Sequence, residues 1–166
     1  AELLASEWLR LTPTYETHYP QPERNWVTQP NNFSNNCEEC GIYEQTSSFQ
    51  IKSEPGLKRF DFFSLFWTYT LFTRKDVIQV LRKNKTTGFE VREVLLGKRI
   101  PSQNIKQIFV PGIANPGFLP SKGYESFMCA TCGMVKYHPH RRGMMKLRKA
   151  TFDGVDADIV RGHEWF

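Results

Sequence analysis

Cys37-Glu38-Glu39-Cys40-Gly41 and Cys129-Ala130-Thr131-Cys132-Gly133 are two copies of one short pattern, and they account for all four cysteines of the chain. In a Cys-x-x-Cys turn the chain folds back so that both sulfurs lie on one side. A glycine just after it can take the positive φ that turns backbone amides toward them. Each copy therefore reads as a zinc knuckle. Together the knuckles supply Cys37, Cys40, Cys129 and Cys132, the four thiolates of a closed tetrahedral shell around a structural Zn2+ ion, with no position left for a catalytic water. Redox Cys-x-x-Cys pairs open a helix after a strand and usually carry aromatic or proline neighbours, whereas here each pair is followed by Gly and neither follows a clean strand-to-helix signal. Disulfides would need an oxidising compartment. Residues 1–30 hold no basic segment followed by an apolar run, so a cytoplasmic location is the expectation.

Residues 41–128 separate the two copies. If all four thiolates hold one ion, the metal closes most of the domain into a single loop, and its binding free energy becomes folding free energy. The alternative is two sites, each completed by other ligands. His138 and His140 stand close to the second pair, with Pro139 stiffening the segment between them, while His18 and His163 are remote in sequence.

A chain of 166 residues, 40% hydrophobic and 14% aromatic, is one domain's worth with ample material for a core, and residues 1–166 read as a single domain. The most apolar stretch, residues 62–72, is too short to span a bilayer and contains Ser64, Thr68 and Thr70, so no membrane partner is expected. The net charge of +5 is unevenly spread. Residues 1–50 set Arg10 and Arg24 against seven carboxylates, whereas residues 136–149 carry Lys136, Arg141, Arg142, Lys146, Arg148 and Lys149 without an acid. Such a run attracts a phosphate backbone or an acidic protein face, though most such runs are simply solvated.

Along the chain, residues 6–11 fit a short strand, and the prolines and asparagines of residues 12–36 predict an irregular approach to the first knuckle, pinned by Trp26 and Phe33. Residues 48–52 alternate as a strand does, before a turn at Pro55-Gly56. The aromatic run of residues 60–72 reads as the centre of the core. Thr73 then offers an N-cap, with Asp76 in the first turn, for a helix over residues 74–84 whose Val77, Ile78, Val80 and Leu81 share a face. Residues 89–96 alternate strictly and predict a half-buried strand, and residues 105–110 predict another, stopped by Pro111-Gly112. Asp153, Asp156 and Asp158 lack the ligand order of a calcium loop and read as turn and cap residues. The expected fold class is α+β: a mainly antiparallel sheet with one packed helix and two zinc-knuckle turns.

The order of these parts resembles the double-CXXCG motif family, known as groups of paralogues in myxobacteria. The likeness rests on Cys37, Cys40, Gly41, Cys129, Cys132 and Gly133, on the helix-then-strand section of residues 74–94, and on Asp158-Ile159-Val160-Arg161. The family pattern runs on past this last segment, and the basic run of residues 136–149 is not one of its features. The resemblance implies a zinc-binding bacterial protein of a group that includes immunity factors, which protect a cell against a toxin delivered by its own kin.

Motifs of catalysis do not compete well with this. The sequence holds no Walker-type phosphate loop, no Gly-x-Ser-x-Gly elbow and no His-Glu-x-x-His helix. It also lacks the His-x-Glu element of a zinc deaminase, since His18 is followed by Tyr19 and Pro20, and Glu39 sits inside the knuckle itself. The expectation is a non-catalytic protein that binds and neutralises a cognate toxin. The alternative is a nucleic-acid-binding, zinc-ribbon-like protein using residues 136–149, with Tyr137 placed to stack on bases.

Overall fold

The structure, a computed structural model, describes residues 7–13, 15–20, 32–57, 60–66, 70–119, 125–138 and 146–163. Strands β1 (Phe33–Cys37) and β2 (Ile42–Gln45) form a hairpin with the first knuckle at its tip. A four-stranded sheet follows, built from β3 (Phe62–Phe63), β4 (Leu71–Arg74), β5 (Glu90–Leu96) and β6 (Ile100–Phe109) in the order β3-β4-β6-β5. Helix α1 (Lys75–Lys83) joins β4 to β5. Strands β7 (Glu125–Met128) and β8 (Val135–His138) make a second hairpin, with the second knuckle at its tip. All strand pairs of the three sheets are antiparallel, so the chain is α+β, with one described α-helix.

The central sheet surrounds the core. Phe63, Leu65 and Phe72 from the aromatic run are fully buried with Phe49, Ile51, Leu57, Val94 and Ile105. Edge-on contacts at 5.5 Å run from Phe33 to Phe49 and from Phe49 to Phe72, and Phe72 stacks on Phe63 at 5.4 Å. This chain of rings ties β1, and with it the first knuckle, to the core. A second tie is polar: Gln45 at the end of β2 and the buried Gln107 of β6 exchange side-chain amide hydrogen bonds of 2.8 and 2.5 Å.

Several expectations are corrected here. Residues 7–11 are not a strand; Trp8 instead stacks on Phe152 at 4.5 Å, which makes that segment a strap over the C-terminal region. Residues 48–52 contribute an isolated bridge from Gln50 to Leu95, held by Ile51 N–H to the Leu95 carbonyl and Leu95 N–H to the Phe49 carbonyl, both 2.8 Å. The sheet is completed by β3 and β4, cut from the aromatic run. The end of the approach to the first knuckle is the strand β1, and Trp26 lies outside the described residues.

Thr73 is not an N-cap. It sits at zero exposure in β4, opposite Phe62 and Lys106, and its hydroxyl donates to the Asp61 carbonyl. The sheet ladder therefore runs directly into the helix, whose cap position falls to Arg74 in extended backbone. Ile78 is the buried residue of α1, and Val77 and Leu81 flank it half-buried. Val80, roughly 160° round the helix from Ile78 at 3.6 residues per turn, is 57% exposed. Strand β6 begins at Ile100, earlier than residue 105. Pro101 is tolerated there because β4 pairs only with Ile105–Ile108, leaving the first half of β6 with one neighbour and no ladder bond for a missing amide to break.

The amide pair gives a direct test of how the first hairpin is held. Gln45→Ala should destabilise the protein by about 1–3 kcal/mol, the cost of leaving a buried amide unpaired. Removing both amides together, as Gln45→Leu with Gln107→Leu, should cost less than the sum of the single changes when denaturant midpoints are compared.

Candidate metal centre

The two hairpins present their tips to each other. Cys37 ends β1 and Cys40 lies in the turn before β2, while Cys129 follows β7 and Cys132 precedes β8. In each turn the glycine holds a positive φ, 65° at Gly41 and 71° at Gly133. Each glycine N–H closes the turn by donating to the carbonyl of the first cysteine, at 2.8 Å for Gly41 to Cys37 and 2.9 Å for Gly133 to Cys129. A side chain in this conformation costs about 1–2 kcal/mol, which is why the same residue type recurs after both pairs.

All four sulfurs lie within 4.8 Å of one another. The pairing follows an approximate two-fold: first cysteine with first, Cys37 to Cys129 at 3.6 Å, and second with second, Cys40 to Cys132 at 3.6 Å. No disulfide joins them. A tetrahedral thiolate shell with metal–sulfur bonds of about 2.3 Å has sulfurs roughly 3.8 Å apart, so this arrangement has the dimensions and the donor chemistry of a metal centre.

Its electrostatics call for a cation. The Cys40 amide and the neighbouring sulfurs hold the Cys37 thiol down to about 7 against the opposing effect of burial. At Cys129 the amides of Cys132 and Thr131 act in the same direction, but burial and the Cys37 sulfur outweigh them and raise it. At Cys132 the Met134 amide is outweighed by burial and by the sulfurs of Cys40, Cys129 and Cys37, which push it up to about 12. One thiolate is welcome in this cluster and further ones repel it. A divalent ion at the centre removes that repulsion, because a coordinating thiol is deprotonated outright.

Two contacts that sequence reasoning did not foresee lock the tips together. Thr131 Oγ1 donates to the Glu39 carboxylate, and the Lys136 ammonium donates to the Cys40 carbonyl. Glu39 Oε2 also lies 3.7 Å from Cys129 Sγ. Glu39 is thus a bridge between knuckles, and Lys136, read as part of a free basic run, is committed to the centre. Both sit within five residues of a knuckle cysteine, which is the signal that could have marked them. Of the histidines weighed as ligands, His18 and His163 fall elsewhere. His18 Nδ1 lies 2.8 Å from Thr17 Oγ1 and its Nε2 lies 3.4 Å from Ser53 Oγ, and neither it nor His163 joins the four-sulfur group. His138 closes β8, and His140 lies outside the described residues.

No protein-family model, no curated protein and no solved structure matches the chain. No helix of the described residues is long and apolar enough to cross a membrane.

The second hairpin leans on this centre more than the first. All four residues of β7 are exposed, and Cys129 is the buried residue of its knuckle, whereas β1–β2 is tied to the core by Phe33 and Gln45. Cys129→Ser should therefore release β7–β8 before the rest. Amide hydrogen exchange is expected to show hairpin protection falling at least tenfold, about 1.4 kcal/mol, while β5–β6 amides keep theirs until global unfolding. Equal loss across both sheets would show that the centre supports the whole fold instead.

Proposed function

We propose that the chain is a non-catalytic zinc protein whose ion fixes the relative placement of two hairpins, and that the surface so formed binds another protein, as an immunity factor occluding a cognate bacterial toxin. The observation that carries this reading is the convergence of four cysteine sulfurs, each pair from a different hairpin, within 4.8 Å. A shell of four thiolates spends every coordination position on the protein, so the ion serves the fold and not a reaction. Zinc is favoured over iron or copper as a redox-inert ion suited to tetrahedral sulfur.

The binding role joins this geometry to the resemblance to the double-CXXCG motif family. It is supported by what surrounds the centre. Phe127 and Met128, 46% and 67% exposed, stand on β7 immediately before Cys129, and Lys146, Arg148 and Lys149 are exposed on a neighbouring segment. That segment reaches the hairpin through Phe118, which bridges to Leu147 and packs edge-on against Tyr137 at 4.7 Å. Exposed apolar anchors with cations on a neighbouring segment are complementary to an acidic protein face. The basic balance of residues 51–166 makes an acidic partner a better match than a basic one, and the ion would hold the anchors rigid before the partner arrives.

Metal analysis of the purified protein should find about one zinc per chain. Iron in its place, or no metal beside four free thiols and an intact fold, would overturn the zinc reading. For the partner, calorimetric titration against the product of a neighbouring toxin-like gene should give nanomolar binding and protection of cells. A parallel titration with DNA and RNA should show weak association. Tight nucleic-acid binding with a steep salt dependence, and no protein partner, would assign the exposed cations to phosphates instead.

A further inference from the structure

We propose that Cys40 and Cys132 form an oxidisable pair on the open side of the four-sulfur centre, which a peroxide converts to a disulfide between the two hairpins with loss of the bound ion. This rests on reading the centre as a zinc site. Its basis is the two-fold arrangement of the sulfurs combined with their unequal burial. The inner pair is shielded, with Cys37 at 5% and Cys129 at 1% exposure, whereas Cys132 is exposed and Cys40 is partly so. The outer sulfurs are 3.6 Å apart, already among the closest contacts in the cluster. An oxidant arriving from solvent meets Cys132 first.

The chemistry balances with the peroxide as the sole oxidant. The Cys132 thiolate attacks one peroxide oxygen; a sulfur–oxygen bond forms, the oxygen–oxygen bond breaks, and hydroxide leaves and is protonated to water. The Cys40 thiolate then attacks the resulting sulfenic sulfur, a sulfur–sulfur bond forms, and the sulfenic oxygen departs as a second water after protonation. Two thiolates lose two electrons and the peroxide gains them. The ion is left with Cys37 and Cys129 alone, half of a tetrahedral shell, and dissociates.

Charge placement favours this cross-hairpin product over a disulfide within one knuckle. The Glu39 carboxylate lies 3.7 Å from Cys129 Sγ and opposes that sulfur as the attacking thiolate, while the Lys136 ammonium, bound to the Cys40 carbonyl, ties the Cys40 turn to the hairpin that carries Cys132. The consequence differs from that of chelation. Removing the ion alone frees β7–β8, whereas oxidation replaces a metal link between the hairpins by a covalent one at the same place.

The test begins with metal analysis, so that failure of the zinc reading is seen before any oxidant is added. Zinc-loaded protein is then titrated with hydrogen peroxide in the presence of a chromophoric zinc indicator, and the products are digested without reduction and mapped by mass. The expected result is one zinc released in step with one disulfide joining the Cys40 and Cys132 peptides, in at least tenfold excess over any other pairing. A dithiol and added zinc should restore the starting state. Hydrogen exchange should show β7–β8 better protected in the oxidised protein than in the chelated one. A zinc-loaded protein that forms Cys37–Cys40 or Cys129–Cys132 disulfides, or that keeps its ion at peroxide concentrations that oxidise free cysteine, would overturn the inference.

Discussion

Four sulfurs brought together across 92 positions of sequence are the constraint on which the arrangement of this chain turns. Closing a loop of about that length removes roughly 4–5 kcal/mol of chain entropy, and the hairpins meet over a small area in which only Cys37 and Cys129 of the four cysteines are buried. Two hydrogen-bonding contacts between tips, Thr131 to Glu39 and Lys136 to the Cys40 carbonyl, are partly solvated and contribute about 1 kcal/mol each at most. A divalent ion on four thiolates, worth about 10–16 kcal/mol in small zinc modules, exceeds the closure cost by a wide margin. The polar contacts then act on orientation: they fix which face of one knuckle meets the other.

The two hairpins are unequal partners in this closure. The first belongs to the core, through the rings of Phe33 and Phe49 and through the Gln45–Gln107 amide pair. The second is a two-stranded ribbon with an exposed strand, and an isolated ribbon of that kind is marginal in water. A further anchor is the edge-on contact of Tyr137 with Phe118, which leads back through Gly117 and Arg148 to the C-terminal segment. That segment is itself fastened to the central sheet's side of the molecule: Asp158 accepts from the Thr87 amide and hydroxyl at 2.7 and 2.9 Å, and Arg161 exchanges backbone bonds with Gly112 and Ala114. The four-sulfur centre and the C-terminal segment thus hold the second hairpin from opposite ends.

How much of this was legible in the sequence follows from how local each determinant is. The knuckles, the helix and the strand Glu90–Leu96 were readable because a repeated Cys-x-x-Cys-Gly, a 3.6-residue period and a strict alternation each declare themselves within a few residues. The aromatic run was recognised as core but not as strands, since continuous apolar sequence carries no period and its pairing was set by distant Gln107 and Ile108. Thr73 misled for the opposite reason. Its local context is that of a helix cap, yet a central position in a ladder satisfies its backbone fully and its hydroxyl finds the Asp61 carbonyl. Residues 7–11 have strand composition, yet their aromatic residue, Trp8, packs on Phe152 instead.

The same distinction applies to the site. Residue type and spacing named all four cysteines, because a Cys-x-x-Cys turn carries its own geometry, but they left open whether the two turns shared one centre. Only the tertiary structure answers that, by directing both tips to one point. Closeness to a knuckle cysteine marked Glu39 and Lys136 only as candidates, since a carboxylate or an ammonium beside a knuckle is as often solvated as engaged. Their engagement narrows the surface available to a partner. Lys136 is spent on the centre, whereas Lys149, though 3.7 Å from Glu7, stays solvent-exposed with Lys146 and Arg148 on the described part of the basic run. Phe127 and Met128, consecutive on β7, point to opposite faces of the hairpin, so each face offers one exposed apolar side chain.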